Sequence, residues 1–281
     1  MGGGSATLDW LLDLAAGISR SKLQSLMLHP SDWVELKRPR GELERLWRQH
    51  LDESVPLQYL VGRCFWRTFE LEVGPAVLIP RPETEAMIDL AVDLVREASP
   101  DKGIASLGTA SPLWADLGTG SGCLAIGLAQ AFPQSEGLAV DVSAEALDQA
   151  QRNLKRAGLD ARVRLLQGHW FQAVKPWWGR LSLVLANPPY IPTAEVQRLH
   201  PVVRDHEPRL ALDGGEDGLT AIRSLAQQAP RALSPGGWLL IEHHHDQSDS
   251  VLALLAQNGL RDGRFHTDLQ GHRRFASARV P

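Results

Sequence analysis

The 281-residue sequence predicts a doubly wound α/β protein: a mostly parallel, seven-stranded sheet behind a small N-terminal helical domain and a β-hairpin linker. Three observations carry this. From residue 114 onward, short apolar runs alternate with helix-length segments, the pattern of a parallel sheet covered on both faces. The first strand-to-helix junction is a glycine turn, Asp116-Leu117-Gly118-Thr119-Gly120-Ser121-Gly122. The apolar run Leu181–Ala186 ends at Asn187-Pro188-Pro189-Tyr190, where two prolines bring no N–H to a ladder.

The elements come in order along the chain. Leu8, Leu11, Leu12 and Ala15 mark an apolar helical stripe, with Thr7 as its expected N-cap. Ser19 or Ser21 starts a second helix carrying Leu23 and Leu26. Leu43, Leu46, Trp47 and Leu51 mark a third. Residues 1–60 are therefore read as a helical domain suited to docking a substrate. Phe65, Trp66, Phe69, Leu71, Val73 and Val77–Ile79, set among Gly62, Gly74 and Pro75, predict a β-hairpin, so 61–82 is read as a linker. The third unit, 83–281, opens with a helix at 83–97, and 101–113 reads as a loop. Strands are expected at Trp114–Leu117, Leu138–Asp141, Val163–Leu166, Leu181–Ala186 and Trp238–Glu242. Helices fall at about 122–131, 143–157, 219–232 and 249–258; Ser143 and Gly158 form an N-cap and C′ pair for the second. Arg264–Asp268 and Arg273–Arg279 close the sheet as antiparallel strands.

Bulk properties narrow the function. The net charge is −4, so the basic surplus of a phosphate-driven nucleic-acid binder is missing. Cys64 and Cys123 form neither a disulfide framework nor a Cys-x-x-Cys metal pair, which fits a reduced, cytoplasmic protein. No apolar run reaches transmembrane length. Met1-Gly2-Gly3-Gly4-Ser5 has no signal-peptide pattern, and Ala6 stands where a myristoylation start needs Ser or Thr, so it reads as a flexible tail.

Chemistry is expected where the strands end. Asn187 Oδ1 and the Pro188 carbonyl can each accept one N–H of a planar –NH2 group, while Pro189 and Tyr190 shape the site and the tyrosine ring offers a flat face. Glycines 118, 120 and 122 let the backbone approach a ligand, and Asp141, about 20 residues beyond the loop, ends the second strand where ribose hydroxyls are commonly taken. A dinucleotide remains open, but the spacing is not G-x-G-x-x-G, and Asp116 suits a cationic amino-acid moiety better than pyrophosphate. These points favour S-adenosylmethionine over NAD.

Leu78-Ile79-Pro80-Arg81-Pro82-Glu83-Thr84-Glu85, the glycine loop, Asp141 and Asn187-Pro188-Pro189-Tyr190-Ile191 together resemble the protein-(glutamine-N5) methyltransferases of bacterial peptide chain release factors. Pro56–Gly62 and Glu207–Leu212 extend the likeness, which covers about residues 56–281 and more loosely the helical start. The resemblance implies a Rossmann-like methyltransferase sheet and methyl transfer from S-adenosylmethionine to the glutamine of a class 1 release factor's Gly-Gly-Gln loop. It implies a cofactor held by Gly118, Thr119, Gly120, Ser121, Gly122 and Asp141, with Trp170 near the adenine. Asn187 to Tyr190 would hold the glutamine, and Asn187 would lie beside the cofactor as well. Arg81 and Glu83 either orient the substrate loop or brace the hinge, and bracing is favoured because glutamates suit a helix start. The chain departs from the family pattern at His169, where Asp is usual before the tryptophan, at His243-His244-His245 after the fifth strand, and in the long 101–113 segment.

Amide nitrogen is a weak nucleophile because its lone pair is delocalised. The expected catalytic set, Asn187, Pro188 and Tyr190, therefore works by positioning and polarisation rather than as a strong base. No metal is expected, because adjacent strand residues such as His243–His245 point to opposite faces. The expected protein is a monomer that needs no membrane and no direct nucleic-acid contact. Two other readings stay open: a nucleic-acid N-methyltransferase acting on an exocyclic amine of adenine or guanine, and a cofactor-binding regulator without catalysis.

Overall fold

The computed structural model describes residues 5–98 and 113–281; of the tail expected at 1–5 only Ser5 is described, and it is helical, while most of the 101–113 loop lies outside the described residues. Helix α1 (Ser5–Leu11) begins directly after the glycine run, so Thr7 sits inside it rather than capping it. A π-helical turn, Leu12–Ala16, comes next and ends at Gly17. Helix α2 (Arg20–Leu28) is capped by Ser19, whose Oγ accepts from Lys22 N at 3.3 Å. Helix α3 (Arg40–Glu53) and a short α4 (Leu57–Val61), which the sequence pattern did not signal, complete the module. Leu11, Leu14, Leu43, Leu46, Leu57 and Val61 form its own core. The predicted stripes are thus mostly mutual packing.

The hairpin is shorter than expected. Strands β1 (Arg63–Trp66) and β2 (Phe69–Glu72) pair antiparallel, with Cys64 opposite Leu71. The paired register ends at Glu72, one further bond from Val73 N to Gly62 O at 3.1 Å precedes Gly74 and Pro75, and Val73 and Val77 are buried in the main core. Two hydrogen bonds tie the hairpin to the segment leading into the next helix: Trp66 Nε1 donates to Arg81 O at 3.0 Å, and Arg67 N donates to Glu85 Oε1 at 2.8 Å. A 3₁₀ turn, Glu83–Glu85, opens into α5 (Ala86–Ala98).

The large sheet contains β3 (Leu113–Leu117), β4 (Glu136–Asp141), β5 (Val163–Gln167), β6 (Leu181–Ala186), β7 (Leu233–Glu242), β8 (Arg261–Thr267) and β9 (Arg273–Arg279). Its seven strands lie in the order β5-β4-β3-β6-β7-β9-β8. The strands from β5 across to β7 run parallel, and β9 is antiparallel to both neighbours. The intervening helices are α6 (Cys123–Ala131), α7 (Ala144–Arg156), α8 (Thr193–Val196), α9 (Pro201–Arg204), α10 (Thr220–Ala232) and α11 (Ser248–Gln257). The alternation of side chains along each strand divides the core into two layers. Trp114, Leu183 and Leu185 pack under α5, α6 and α7, whereas Ala115, Leu117 and Val184 pack under α10 and α11.

Two details explain local sequence. Gly137 pairs with Trp114 across β3 and β4, and a Cβ there would stand 2.1 Å from the indole, so the ring needs glycine beside it. Strand β7 starts at Leu233, earlier than the expected Trp238, because Leu233 pairs with Leu181 before the register shifts at the Gly236-Gly237 irregularity. None of the described helices is long and apolar enough to cross a membrane.

Strand β3 leads to β4 on one side and borders β6 on the other, so the topological switch opens a crevice at the strands' C-terminal ends. The glycine turn, Asp141 and Asn187 all reach that edge.

Candidate active site

A cavity of about 740 Å³ fills the crevice, within the size range of small-molecule sites. The linker supplies Val77, Leu78, Pro80 and Arg81 to its wall, and the 3₁₀ turn after it supplies Thr84. The sheet edge supplies Gly118, Thr119, Gly120, Ser121, Asp141, His169, Trp170, Asn187 and Pro189, and the segment before α10 supplies Leu210 and Asp213.

The loop is built by its own hydrogen bonds. Gly118 N and Thr119 N both donate to Val140 O at 2.8 Å. Gly118 adopts φ +82°, and a Cβ there would meet the Trp170 ring at 3.1 Å. Both conformation and space therefore demand glycine, and the tryptophan lies against the loop. Asp116 sits beneath the loop rather than in the wall: its Oδ2 accepts from Thr119 Oγ1 at 2.6 Å and Ala125 N at 3.1 Å. Its Oδ1 is buried and has no protein partner among the described residues. Burial pushes this carboxyl up to about 7. Gly122 is likewise behind the wall, packed on Ala150.

Asp141 spans two elements. Its Oδ2 accepts from Gly120 N at 2.9 Å and its Oδ1 from Ser143 N at 3.0 Å, linking the loop to the start of α7. Burial raises its pKa above the ordinary carboxylate value. Ser143 Oγ caps α7 through Ala146 N at 3.1 Å, as its sequence position suggested.

Beside the loop, at the end of β6, Asn187 Nδ2 donates to Thr84 Oγ1 at 3.2 Å, and Thr84 Oγ1 donates to Glu242 Oε2 at 2.7 Å. Tyr190 OH donates to Glu242 Oε1 at 3.4 Å. Tyr190 and the buried Pro188 lie behind Asn187 and Pro189, outside the cavity wall. Burial, then the neighbouring Glu242, raises the Tyr190 pKa. Arg81 lines the cavity yet spends its guanidinium on Glu207 Oε1 at 2.7 Å, while Glu207 Oε2 accepts from Ile79 N at 3.2 Å. Glu207 is buried, so this pair braces the linker against the segment before α10. Glu83 is half-buried and outside the wall.

Sequence reasoning did not single out Thr84, Glu207 or Glu242 individually, although each sits inside a stretch that it did quote. Asn153 was missed altogether. Its amide holds Glu72 N and Glu72 O at 2.8 and 2.9 Å and Ser121 O at 2.8 Å, joining hairpin, helix and loop. Cys123 lines the cavity rather than being fully buried, and burial of its sulfur pushes the thiol pKa up. His244 pairs with Asp246 at 2.6 Å and its ring lies 4.2 Å from that of His245. Trp177 and Trp178 are covered by Arg164 and Arg231, which makes them packing residues.

An acid-floored glycine loop, a second acid at a strand end and an aromatic wall suit a nucleoside that carries a cationic amino-acid arm. Asp116 Oδ1, buried beneath the loop without a partner among the described residues, makes positive charge favourable nearby. With Nδ2 bonded to Thr84, the Asn187 carbonyl on the same cavity suits a second ligand with N–H donors.

Comparison with known proteins points the same way. The methyltransferase small domain family model matches residues 104–216. The release factor glutamine methyltransferase of Prochlorococcus marinus is 46% identical over 280 residues, covering 100% of this chain and 92% of that protein. The protein of the same name from Thermosynechococcus vestitus is 45% identical over 249 residues, covering 88% of this chain and 82% of that one. The solved N-terminal domain of human METTL16 in complex with SAH aligns with a TM-score of 0.53 at 14% identity, over 96% of this chain and 90% of that one. That last likeness is one of fold.

Proposed function

The chain belongs to the release factor glutamine methyltransferase family, and on that premise we propose that it methylates the side-chain amide nitrogen of the glutamine in the Gly-Gly-Gln motif of class 1 peptide chain release factors. The observation that carries the reading is that the acid-floored glycine loop and Asn187 line one cavity from the ends of the neighbouring strands β3 and β6. The residues fit S-adenosylmethionine: Asp141 for ribose hydroxyls and Trp170 beside the base, with Asp116 shaping the glycine loop from beneath rather than touching the group. When bound, that group supplies an electrophilic methyl on a positively charged sulfur.

The chain's own residues do the rest. Asn187 Oδ1 accepts an N–H of the acceptor glutamine, holding its nitrogen toward the loop and stabilising positive charge that develops there, while the buried Pro188 fixes the end of the strand behind it. Pro189 shapes the wall, and Tyr190 supports Asn187 from behind through Glu242. Arg81 and Glu207 hold the linker that forms the cavity's rim. The proton leaves to water, so no side chain need act as a strong base. The enzyme acts in the cytoplasm as a monomer and needs no nucleic-acid contact.

Labelled S-adenosylmethionine offered separately with release factor, DNA and rRNA should label the release factor alone, on glutamine. Label in DNA or rRNA instead would favour the exocyclic-amine reading and sink this one.

The helical domain is proposed to grip the release factor. Met27, Leu28 and Trp33 support this, being 77%, 77% and 96% exposed within seven residues of chain. Replacing all three with serine should raise KM for intact release factor by about tenfold or more, the scale of one lost interface anchor. Turnover of a short Gly-Gly-Gln peptide should stay unchanged. An unaltered KM for the intact protein would remove the docking role.

A further inference from the structure

We infer that Thr84 and Glu242 are positioning residues that decide which end of the Asn187 amide faces the cavity. The consequence for catalysis rests on the methyl-transfer reading. The orientation itself is dictated by donors and acceptors alone.

A carboxylate only accepts hydrogen bonds, whereas a hydroxyl has a single proton to donate. Glu242 lies fully buried at the end of β7, with Thr84 Oγ1 2.7 Å from Oε2 and Tyr190 OH 3.4 Å from Oε1. Ionised Glu242 therefore draws the Thr84 proton toward itself. Thr84 Oγ1 is left with lone pairs only, and the atom of Asn187 at 3.2 Å must be the donor Nδ2. Oδ1 is thus turned away from Thr84 and is free to accept from a ligand. The polarity of one buried carboxylate is passed through one hydroxyl to an amide whose two ends are otherwise nearly the same shape. Thr84 and Glu242 are 158 positions apart, so the contact exists only in the folded chain.

Protonation should reverse this. Burial pushes Glu242 up to about 7, against the lowering influence of the hydrogen bonds from Thr84 and Tyr190 and of nearby Arg274. The charged and titratable groups around it are Arg274 on β9, Glu83 before α5, Tyr190 after β6, and His243 and His244 beyond it on its own segment. Arg274 is itself held by Asp268 at 2.7 Å. As pH falls through the Glu242 pKa, the carboxyl becomes a donor. Thr84 can then donate to Asn187, and the amide can turn its –NH2 to the cavity, where it would oppose another –NH2.

The test uses the full-length protein and two readouts. Thr84→Val, nearly the same shape without the hydroxyl, should lower kcat by about tenfold or more while both KM values stay within about threefold. Thr84→Ser should restore kcat, and Glu242→Gln, whose amide can donate, should behave like Thr84→Val. In the ligand-free protein, the Asn187 side-chain –NH2 pair in a ¹H–¹⁵N spectrum, assigned by its loss in Asn187→Ala, should shift with pH through the Glu242 titration. That shift should vanish in Thr84→Val and in Glu242→Gln. Wild-type kcat in Thr84→Val, no rescue by serine, or an Asn187 pair indifferent to both substitutions would each overturn the inference. The spectrum needs no turnover, so a failed methyl-transfer reading would leave the orientation independently decided.

Discussion

Asn187→Ala is expected to fold and to bind cofactor, yet to lose methyl transfer by ~10²–10³-fold in kcat, the range seen when one preorganised electrostatic contact to a transition state is removed. The substitution removes both ends of the amide. Losing Nδ2 is cheap, because Thr84 still donates to Glu242 and no buried donor is orphaned. Losing Oδ1 is expensive, because it is the acceptor proposed to hold the reacting nitrogen. The stability cost should therefore be only about 1 kcal/mol, the net value of an ordinary hydrogen bond. A radiolabelled methyl assay beside a thermal melt separates the two effects. A rate within a few-fold of wild type would remove Asn187 from the mechanism, and a collapsed melting transition would mean that its part is structural.

That asymmetry also marks what the sequence could disclose. Asn187-Pro188-Pro189-Tyr190 was legible because proline chemistry forces a strand to end, and ends of parallel strands face ligands. The central parallel strands β3 and β6 were legible because burial on both faces leaves near-continuous apolar runs. The orientation of Asn187 was not legible. It depends on Thr84 and Glu242, which meet only when the linker folds over the edge of β7, and no local pattern records that closure. Val77–Ile79 misled for a related reason. Their apolar run fits a hairpin strand, but tertiary burial of Val77 in the main core replaced the ladder once Gly74 and Pro75 had broken it. Asp116 shows the reverse case. The sequence pointed to it as a cofactor contact, and the fold places it one layer deeper, where two of its hydrogen bonds shape the loop and one oxygen is left open.

Asp141→Asn should weaken cofactor binding by about 30-fold or more, the equivalent of ~2 kcal/mol. Both carboxylate oxygens are already accepting backbone N–H bonds, from Gly120 at 2.9 Å and Ser143 at 3.0 Å. Asparagine has one oxygen to offer, so its –NH2 must face one of those N–H groups, donor against donor. Hydrogen bonds to a charged acceptor are worth ~1.5–3 kcal/mol, so losing one should loosen either the glycine loop or the start of α7. The remaining lone pairs, proposed to receive ribose hydroxyls, would lose their charge as well. Burial already raises the Asp141 pKa, and hydroxyl donors from a ligand favour the ionised form. Cofactor should therefore bind most tightly above the free protein's Asp141 pKa, and Kd should rise as pH falls through it. In Asp141→Asn that acid limb should shrink. Calorimetric titration across pH, paired with quenching of the tryptophan fluorescence to which Trp170 contributes, measures both. A Kd unchanged by the substitution would mean that the loop is held by its bonds to Val140 O alone, and that the acid at the end of β4 is a strand terminator rather than part of the site.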